Sequence, residues 1–197
     1  MHTHPLSEYM RCVEAGNWEG VAELMLSSGE KLAKIGADFL ITPDNTIHQA
    51  LDLFQARSPL PWLHIAEEVA SEAKRLGCRR VALLGTKFLM EGPVYPSRFA
   101  KEGIEYRIPE RSEREGINKF IFDELVEGRI TPKARAYFVG VIERLKIDGC
   151  DAVGMCCTEI PLLLRPGEDT DLPLLDSTRL LARAALRRAI APCSPRS

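Results

Sequence analysis

The chain has 197 residues, enough for one or two small domains with a hydrophobic core. Its 26 basic and 28 acidic side chains leave a net charge of −2, and no basic run stands out, so we expect no nucleic-acid partner. The start of the chain lacks the apolar core of a secretory signal, and no apolar stretch is long enough to span a bilayer, so we expect no membrane association.

Six cysteines could indicate disulfide bonds, but their placement argues against them. Cys156 and Cys157 are adjacent, and Cys150 lies at the start of a predicted buried strand. We therefore expect a reduced, cytoplasmic protein.

The first predicted elements are two helices and two strands. Apolar residues recur every three or four positions from Trp18 to Ile35, which predicts a helix that ends at Gly36. A short apolar run then leads to Asp44, and the polar residues after it are typical of a helix start. Leu60 to His64 predicts the next strand, and Ala66 to Leu76 the next helix.

The middle of the chain begins with a predicted strand that has no matching segment in the first part of the chain. Arg80 to Thr86 is an apolar run that ends in Gly-Thr and predicts a buried strand. A helix-like stretch follows from Met90 to Glu102, and Ile104 to Ile108 predicts another strand.

The last third repeats the order of the first. A helix is predicted from Pro132 to Asp148 and ends at Gly149, and a strand then leads to Cys157. Leu172 to Asp176 predicts the final strand, and Thr178 to Ile190 the final helix.

Two segments of the chain follow one plan without gaps. Residues 36–47 and 149–160 each contain a Gly, one residue, an Asp, a short apolar run and a polar step into a helix. The alignment places Asp44 opposite Cys157, which predicts a site shared between two halves of the molecule.

The alternation of helices and strands predicts an α/β fold. We expect two pseudo-symmetric parallel-sheet half-domains, with helices on both faces and the active site in the cleft between them. Residues 1–74 plus 170–197 are assigned to the first domain, and residues 75–169 to the second.

The repeat also indicates that the first domain is incomplete. Gly85 precedes Cys157 by 72 residues (157 − 85), and the same spacing before Asp44 falls upstream of Met1. We therefore expect that the first domain lacks its first strand and helix.

These segments resemble the aspartate/glutamate racemase superfamily. Residues 157–163, Cys-Thr-Glu-Ile-Pro-Leu-Leu, are similar to its second signature. Residues 44–48, Asp-Asn-Thr-Ile-His, are similar to its first signature, which is usually Cys-Asn-Thr with a His shortly after. Residues 84–86 resemble the segment that opens its second domain, and the likeness extends from about Pro5 to Arg183.

The resemblance implies a racemase that needs no pyridoxal phosphate or other cofactor. In such enzymes two facing acid/base groups, commonly both thiols, remove the α-proton from one face of an amino acid and return one to the other. The resemblance therefore implies an isomerase of the aspartate/glutamate type whose two bases are Asp44 and Cys157.

Asp44 stands where most members have the first Cys, so the pair is not symmetric. A one-sided reaction on a small dicarboxylic acid, such as decarboxylation or cis-trans isomerisation, stays open for this reason. A truncated, non-catalytic homologue is a third possibility.

The two catalytic candidates require unusual pKa values. A nearby helix N-terminus lowers the pKa of a thiol, so we expect a lowered pKa for Cys157. Burial beside Pro43 is expected to raise the pKa of Asp44 and make it a better base. Asp44 could equally be only a helix cap.

The substrate-binding candidates follow the ends of the predicted strands and offer donors or charges: Asn45, Thr46, Thr158, Thr86, Lys87, Glu159 and His48. Tyr95, Ser177 and Thr178 could also reach the cleft. Ser177 and Thr178 could equally be only helix caps. His48 is one helical turn after Asp44 and could tune that acid or touch substrate. Lys87 could equally lie on the surface.

The expected partners are a small amino acid or dicarboxylic acid and a second copy of the chain, because homodimers are the commonest oligomers. His2 and His4 are too few to form a zinc site, so we expect no metal.

Overall fold

The computed structural model describes residues 1–191 and has an α/β fold. Its strands are β1 (Arg80–Leu84), β2 (Glu105–Arg107), β3 (Ala152–Met155) and β4 (Leu174–Asp176). They form one parallel sheet in the order β2-β1-β3-β4. The predicted fold class, with a parallel sheet and helices on both faces, is confirmed.

Residues 1–191 contain ten α-helices: α1 (Leu6–Glu14), α2 (Trp18–Lys34), α3 (Leu51–Phe54), α4 (Ile65–Arg75), α5 (Lys87–Met90), α6 (Pro96–Lys101), α7 (Arg111–Phe120), α8 (Pro132–Ile147), α9 (Ile160–Leu163) and α10 (Ser177–Ile190). Two 3-10 turns, Thr46–Ala50 and Gln55–Arg57, flank α3, and a π-helical turn, Ile121–Leu125, extends α7. The four long helices predicted from apolar periodicity, now α2, α4, α8 and α10, are confirmed to within one residue at each end.

Alternate residues of the sheet face two separate apolar cores. On one side, Ala82 and Val153 pack with Phe138 and Ile142 of α8. On the other, Val81, Leu83 and Ala152 pack with the alanines and Val69 of α4 and with Phe99 of α6. Because helices cover both faces, the central strands are apolar throughout, which explains why their sequences read as continuous runs.

Glycines terminate the two matching helices in the same way. Gly36 and Gly149 both have φ of +88°, the left-handed conformation that costs other residues steric strain. The repeat therefore extends to the backbone conformation of these turns.

The strands predicted in the first half are wrong as full strands. Near residues 38–42 and 60–64 the structure has one parallel bridge, between Leu40 and Trp62. Two hydrogen bonds hold it, from Leu40 N–H to Pro61 O (2.9 Å) and from Leu63 N–H to Leu40 O (3.0 Å). Pro43 and Pro61 have no N–H, so neither can donate a further hydrogen bond to extend this pair.

The helix predicted from Met90 to Glu102 is also wrong as a single element. It divides into α5 and α6, with Gly92 and Pro93 between them and Pro96 at the first position of α6. Proline lacks the N–H that a continuous helix needs, but it suits a helix start.

The predicted domain boundary at residue 170 stays a prediction. The segment after it contributes β4, in which Leu175 pairs with Gly154 of β3, to the sheet of the second half. Within residues 1–191 no helix combines the length and hydrophobicity that crossing a bilayer requires.

Replacing Phe138 by Ala should test the core beneath the sheet. The side chain is fully buried, so Phe138→Ala should lower the free energy of unfolding by about 3–5 kcal/mol. Leu186→Ala on α10, where the side chain is 61% exposed, is the control and should change it by less than about 0.5 kcal/mol. Urea unfolding measures both, and equal effects would contradict this packing.

Candidate active site

A cavity of about 210 Å³ lies where β1 and β3 end beside residues 43–47 of the first half. The carboxyl end of a parallel sheet is the usual position of ligand sites in α/β proteins. Gly85 lets these segments come close, because a Cβ there would lie 2.9 Å from the carbonyl oxygen of Cys156. The cavity is lined by seven of the predicted site residues: Asp44, Asn45, Thr46, Thr86, Cys157, Thr158 and Glu159.

Asp44 both caps a helical turn and faces the cavity. Its Oδ1 accepts a hydrogen bond from the N–H of Ile47 at 3.0 Å. Asp44 is exposed at the cavity surface. Because protein surrounds this surface, the carboxyl is desolvated, and this desolvation raises the pKa of Asp44. The N–H groups of Ile47 and Thr46 oppose the rise, and the charge of Glu159 adds to it. The cap role does not remove the carboxyl from the cavity.

Cys157 is a protonated thiol in this arrangement. Its Sγ donates a hydrogen bond to Oε2 of Glu159 at 2.8 Å. Burial, followed by this hydrogen bond and the negative charge of Glu159, raises the pKa of Cys157 well above its usual range. The expectation of a lowered pKa is therefore wrong. The helix that follows, α9, has only four residues, and its weak dipole does not offset an adjacent carboxylate.

Glu159 connects the thiol to its neighbour. It accepts a hydrogen bond from the Thr158 hydroxyl at 2.8 Å on Oε1, while Cys157 occupies Oε2. Glu159 thus fixes the orientation of both side chains at the cavity.

A buried chain of hydrogen bonds joins the halves behind the cavity. The Tyr95 hydroxyl donates to Asn45 Oδ1 (2.7 Å), Asn45 Nδ2 donates to Ser177 Oγ (3.0 Å), and Ser177 Oγ donates to the carbonyl of Met155 (2.9 Å). Tyr95 is fully buried in this chain and does not line the cavity, in contrast to the expectation that it could bind substrate. Asn45 lines the cavity, but part of its amide is already used.

Two hydroxyls face each other across the halves. Thr46 Oγ1 lies 3.4 Å from Thr86 Oγ1, and Thr86 also accepts a hydrogen bond from the N–H of Leu89 as the cap of α5. Both side chains line the cavity.

His48 and Lys87 do not line the cavity. His48 is buried, with Nδ1 donating to the Asp44 carbonyl at 2.7 Å and Nε2 accepting from the N–H of Ile65 at 3.2 Å. Burial lowers the pKa of His48 to about 4. Lys87 is exposed, and its ammonium lies 5.1 Å from the centre of the Phe88 ring.

Apolar walls that sequence analysis missed complete the cavity. They come from α1, from the π-helical turn and from Phe88: Leu6, Met10, Val13, Ile121, Phe122, Val126 and Phe88. The turn is marked by the N–H of Val126, which donates to the carbonyl of Ile121 five residues earlier at 2.9 Å. Apolar spacing within residues 6–13 was the available signal for α1.

Residues 1–191 contain no group of three or more His, Cys, Asp or Glu side chains placed to hold a metal ion.

The sequence matches the Asp/Glu/Hydantoin racemase family over residues 1–185, almost the whole chain. The protein belongs to this family.

Known racemases and their homologues resemble this family member in sequence and fold. A Yersinia pestis structure assigned to the Asp/Glu racemases is 33% identical with a TM-score of 0.87, covering 95% of this chain and 81% of that one. An aspartate racemase homologue from Pyrococcus horikoshii OT3 is 30% identical with a TM-score of 0.79, covering 88% and 76%. Broad specificity amino-acid racemase RacX of Bacillus subtilis (strain 168) is 23% identical over 167 residues, covering 85% and 71%.

Removing the Tyr95 hydroxyl should destabilise this racemase-family protein. Tyr95→Phe leaves Asn45 Oδ1 buried without its donor, so the free energy of unfolding should fall by about 1–3 kcal/mol. Tyr106→Phe on the edge strand β2 is the matched control, with an expected change below about 0.5 kcal/mol. Urea unfolding compares the two, and an equal, small loss in both would show that the buried bond contributes little.

His48 should make the stability depend on pH. Its pKa is about 4 when folded and about 6.5 when unfolded, so the unfolded chain binds more protons between these values. Its contribution is therefore complete above pH 6.5 and falls as the pH drops toward 4. Urea unfolding at pH 7 and pH 5 should show a loss that is about 2 kcal/mol smaller in His48→Asn than in the native protein. Parallel losses would contradict a neutral, buried His48.

Proposed function

We propose that the protein is a cofactor-independent amino-acid racemase that exchanges the α-proton by a two-base mechanism. The observation that carries this proposal is that Asp44 and Cys157, at matching positions of the repeat, line one cavity. Membership of the Asp/Glu/Hydantoin racemase family and the likeness to RacX, a broad-specificity racemase, support the same reaction class.

The two groups begin in complementary protonation states. Cys157 holds a proton, since its pKa is raised, and Asp44 would accept the α-proton in its ionised form, which its raised pKa makes a stronger base than a free carboxylate. One enantiomer therefore gives its α-proton to Asp44 and receives the Cys157 proton on the opposite face. The other enantiomer requires the reverse state, a protonated Asp44 and a thiolate.

Glu159 makes that reverse state costly. A Cys157 thiolate would lie beside the Glu159 carboxylate, and the two negative charges repel. Uptake of a proton by Glu159 would relieve the repulsion. The free enzyme thus rests mainly in the state that Asp44 starts from, and proton exchange with solvent restores this state after each turnover.

Hydroxyl groups are placed to hold the α-carboxylate of the substrate. Thr46 and Thr86 meet from opposite halves, and Thr158 lies beside Cys157. Hydrogen bonds to the carboxylate strengthen as the α-carbon becomes a carbanion, which stabilises the transition state. A substrate that covers the apolar walls would displace water from the cavity and strengthen these bonds.

The asymmetry of the pair supports a second candidate, a one-sided protonation such as decarboxylation or cis-trans isomerisation of a small acid. Cys157 would then act as the acid and Asp44 would only orient the substrate. Loss of the chiral signal without formation of the opposite enantiomer would distinguish this reaction.

We further propose that the protein acts as a homodimer in the reducing cytoplasm, without a cofactor. The five described cysteines, Cys12, Cys78, Cys150, Cys156 and Cys157, are all free thiols, which agrees with a reducing compartment. The domain division proposed is residues 1–74 plus 170–197 and residues 75–169.

Deuterium exchange at Cα tests the mechanism. In deuterium oxide the native protein should label both enantiomers of its substrate, as measured by NMR and chiral chromatography. Cys157→Ser and Asp44→Asn should each lower racemisation by at least about 100-fold, because each removes an acid/base group.

The Asp44→Asn variant separates catalysis from folding. Asparagine is also a good helix cap, so the turn at residues 46–50 should be preserved. Leu186→Ala, far from any cavity residue in the sequence and exposed on α10, controls for handling and should keep full activity. Full racemisation by Asp44→Asn would reduce Asp44 to a cap and refute the pair. Asp44→Cys should restore activity with two thiols.

A further inference from the structure

We propose that the site selects amino acids with an apolar, uncharged side chain and discriminates against aspartate and glutamate. This inference rests on the proposed racemase function and specifies its substrate class. It depends on the charges and the shape of the cavity that holds Asp44 and Cys157.

The first observation is the sign of the charges. Among residues 1–191, no lysine or arginine lines the cavity, whereas Asp44 and Glu159 do. A dicarboxylic amino acid would bring a second carboxylate into a site that already holds two. Without a cation to pair with it, that carboxylate would lose hydration and be repelled.

The second observation is the composition of the wall. Leu6, Met10 and Val13 of α1 line the cavity, and so do Phe122 of the π-helical turn and Val126, the residue after it. Leu6 is 65% exposed, and Val126 is 47% exposed. Exposed apolar side chains around a concave site are typical of a surface that becomes covered by a ligand.

One cation near this wall is engaged elsewhere. The Arg129 guanidinium donates to the carbonyl of Asp123, next to the wall residue Phe122. The Lys87 ammonium lies over the ring of Phe88, which lines the cavity. It is therefore the cation that could pair with the second carboxylate of a dicarboxylic amino acid.

These positions give one orientation for the substrate. The α-ammonium is attracted to Asp44 and Glu159, and the α-carboxylate meets the hydroxyls of Thr46 and Thr86. The side chain then has the apolar wall of α1 and the π-helical turn as its surroundings. Burial of an apolar side chain there gains free energy in proportion to its area.

Isosteric pairs of amino acids test the selection. In deuterium oxide, Cα labelling is measured for asparagine against aspartate, glutamine against glutamate, and methionine against lysine. We expect kcat/KM to be at least about tenfold higher for each neutral member, and highest for methionine. Equal or faster labelling of aspartate, glutamate or lysine would overturn the inference.

A positive charge introduced into the wall should shift the preference toward glutamate. Val126→Lys should raise the ratio of kcat/KM for glutamate over glutamine by at least about tenfold, since it supplies the missing cation. Val126→Met, of similar length and uncharged, is the matched control and should not raise the ratio. An unchanged ratio in Val126→Lys would show that the side chain does not lie against this wall.

Lys87→Gln tests the rival ligand. If the native protein labels glutamate and Lys87→Gln loses that labelling alone, Lys87 binds the second carboxylate and the inference is wrong. We expect this variant to keep the preference for neutral side chains.

Calorimetry separates the inference from the proposed function. Methionine and glutamate are titrated into the native protein and into Cys157→Ser. Methionine binding without any Cα labelling would refute the racemase and uphold the selection. Labelling confined to aspartate and glutamate would uphold the racemase and refute the selection. Absence of both binding and labelling would refute the two proposals together.

Discussion

The buried hydrogen bonds from Tyr95 through Asn45 and Ser177 to the Met155 carbonyl fix the geometry on which the site depends. Asn45 directly follows Asp44, and Met155 lies two residues before Cys157. These hydrogen bonds therefore position Asp44 and Cys157 from behind the cavity, where solvent does not compete. Each of these bonds leaves a buried partner unsatisfied when it is broken, so the halves have one low-energy arrangement rather than a range of them.

On the cavity side of these hydrogen bonds, the small number of charged side chains governs the chemistry. Glu159 accepts the hydrogen bond of the Cys157 thiol, and the Asp44 carboxylate partly caps a turn. Among residues 1–191, no lysine or arginine lines the cavity to pair with either carboxylate. The result is a cavity with one thiol that donates a hydrogen bond and one carboxylate that accepts one. A pair of thiols would be symmetric, but this pair is not.

Much of the fold and part of the site could be predicted from local sequence. Apolar periodicity and terminal glycines identify α2 and α8, and the repeat identifies Asp44 and Cys157, since both signals are contained in short segments. The strands predicted in the first half were wrong because a strand needs hydrogen-bonding partners that are distant in the sequence. The predicted pKa of Cys157 was wrong because it depends first on burial and then on the Glu159 carboxylate, neither of which is visible in local sequence. His48 shares a helical face with Asp44, but backbone groups on both sides hold its ring.

The π-helical turn at residues 121–125 has an evolutionary consequence. Such a turn shifts the face presented by the residues around it, and Phe122 and Val126 reach the cavity from it. None of its residues belongs to the hydrogen-bonded chain behind Asn45 or to the strand ends that carry Asp44 and Cys157. Insertions, deletions and substitutions in this segment can therefore alter the wall without changing the segments that hold Asp44 and Cys157.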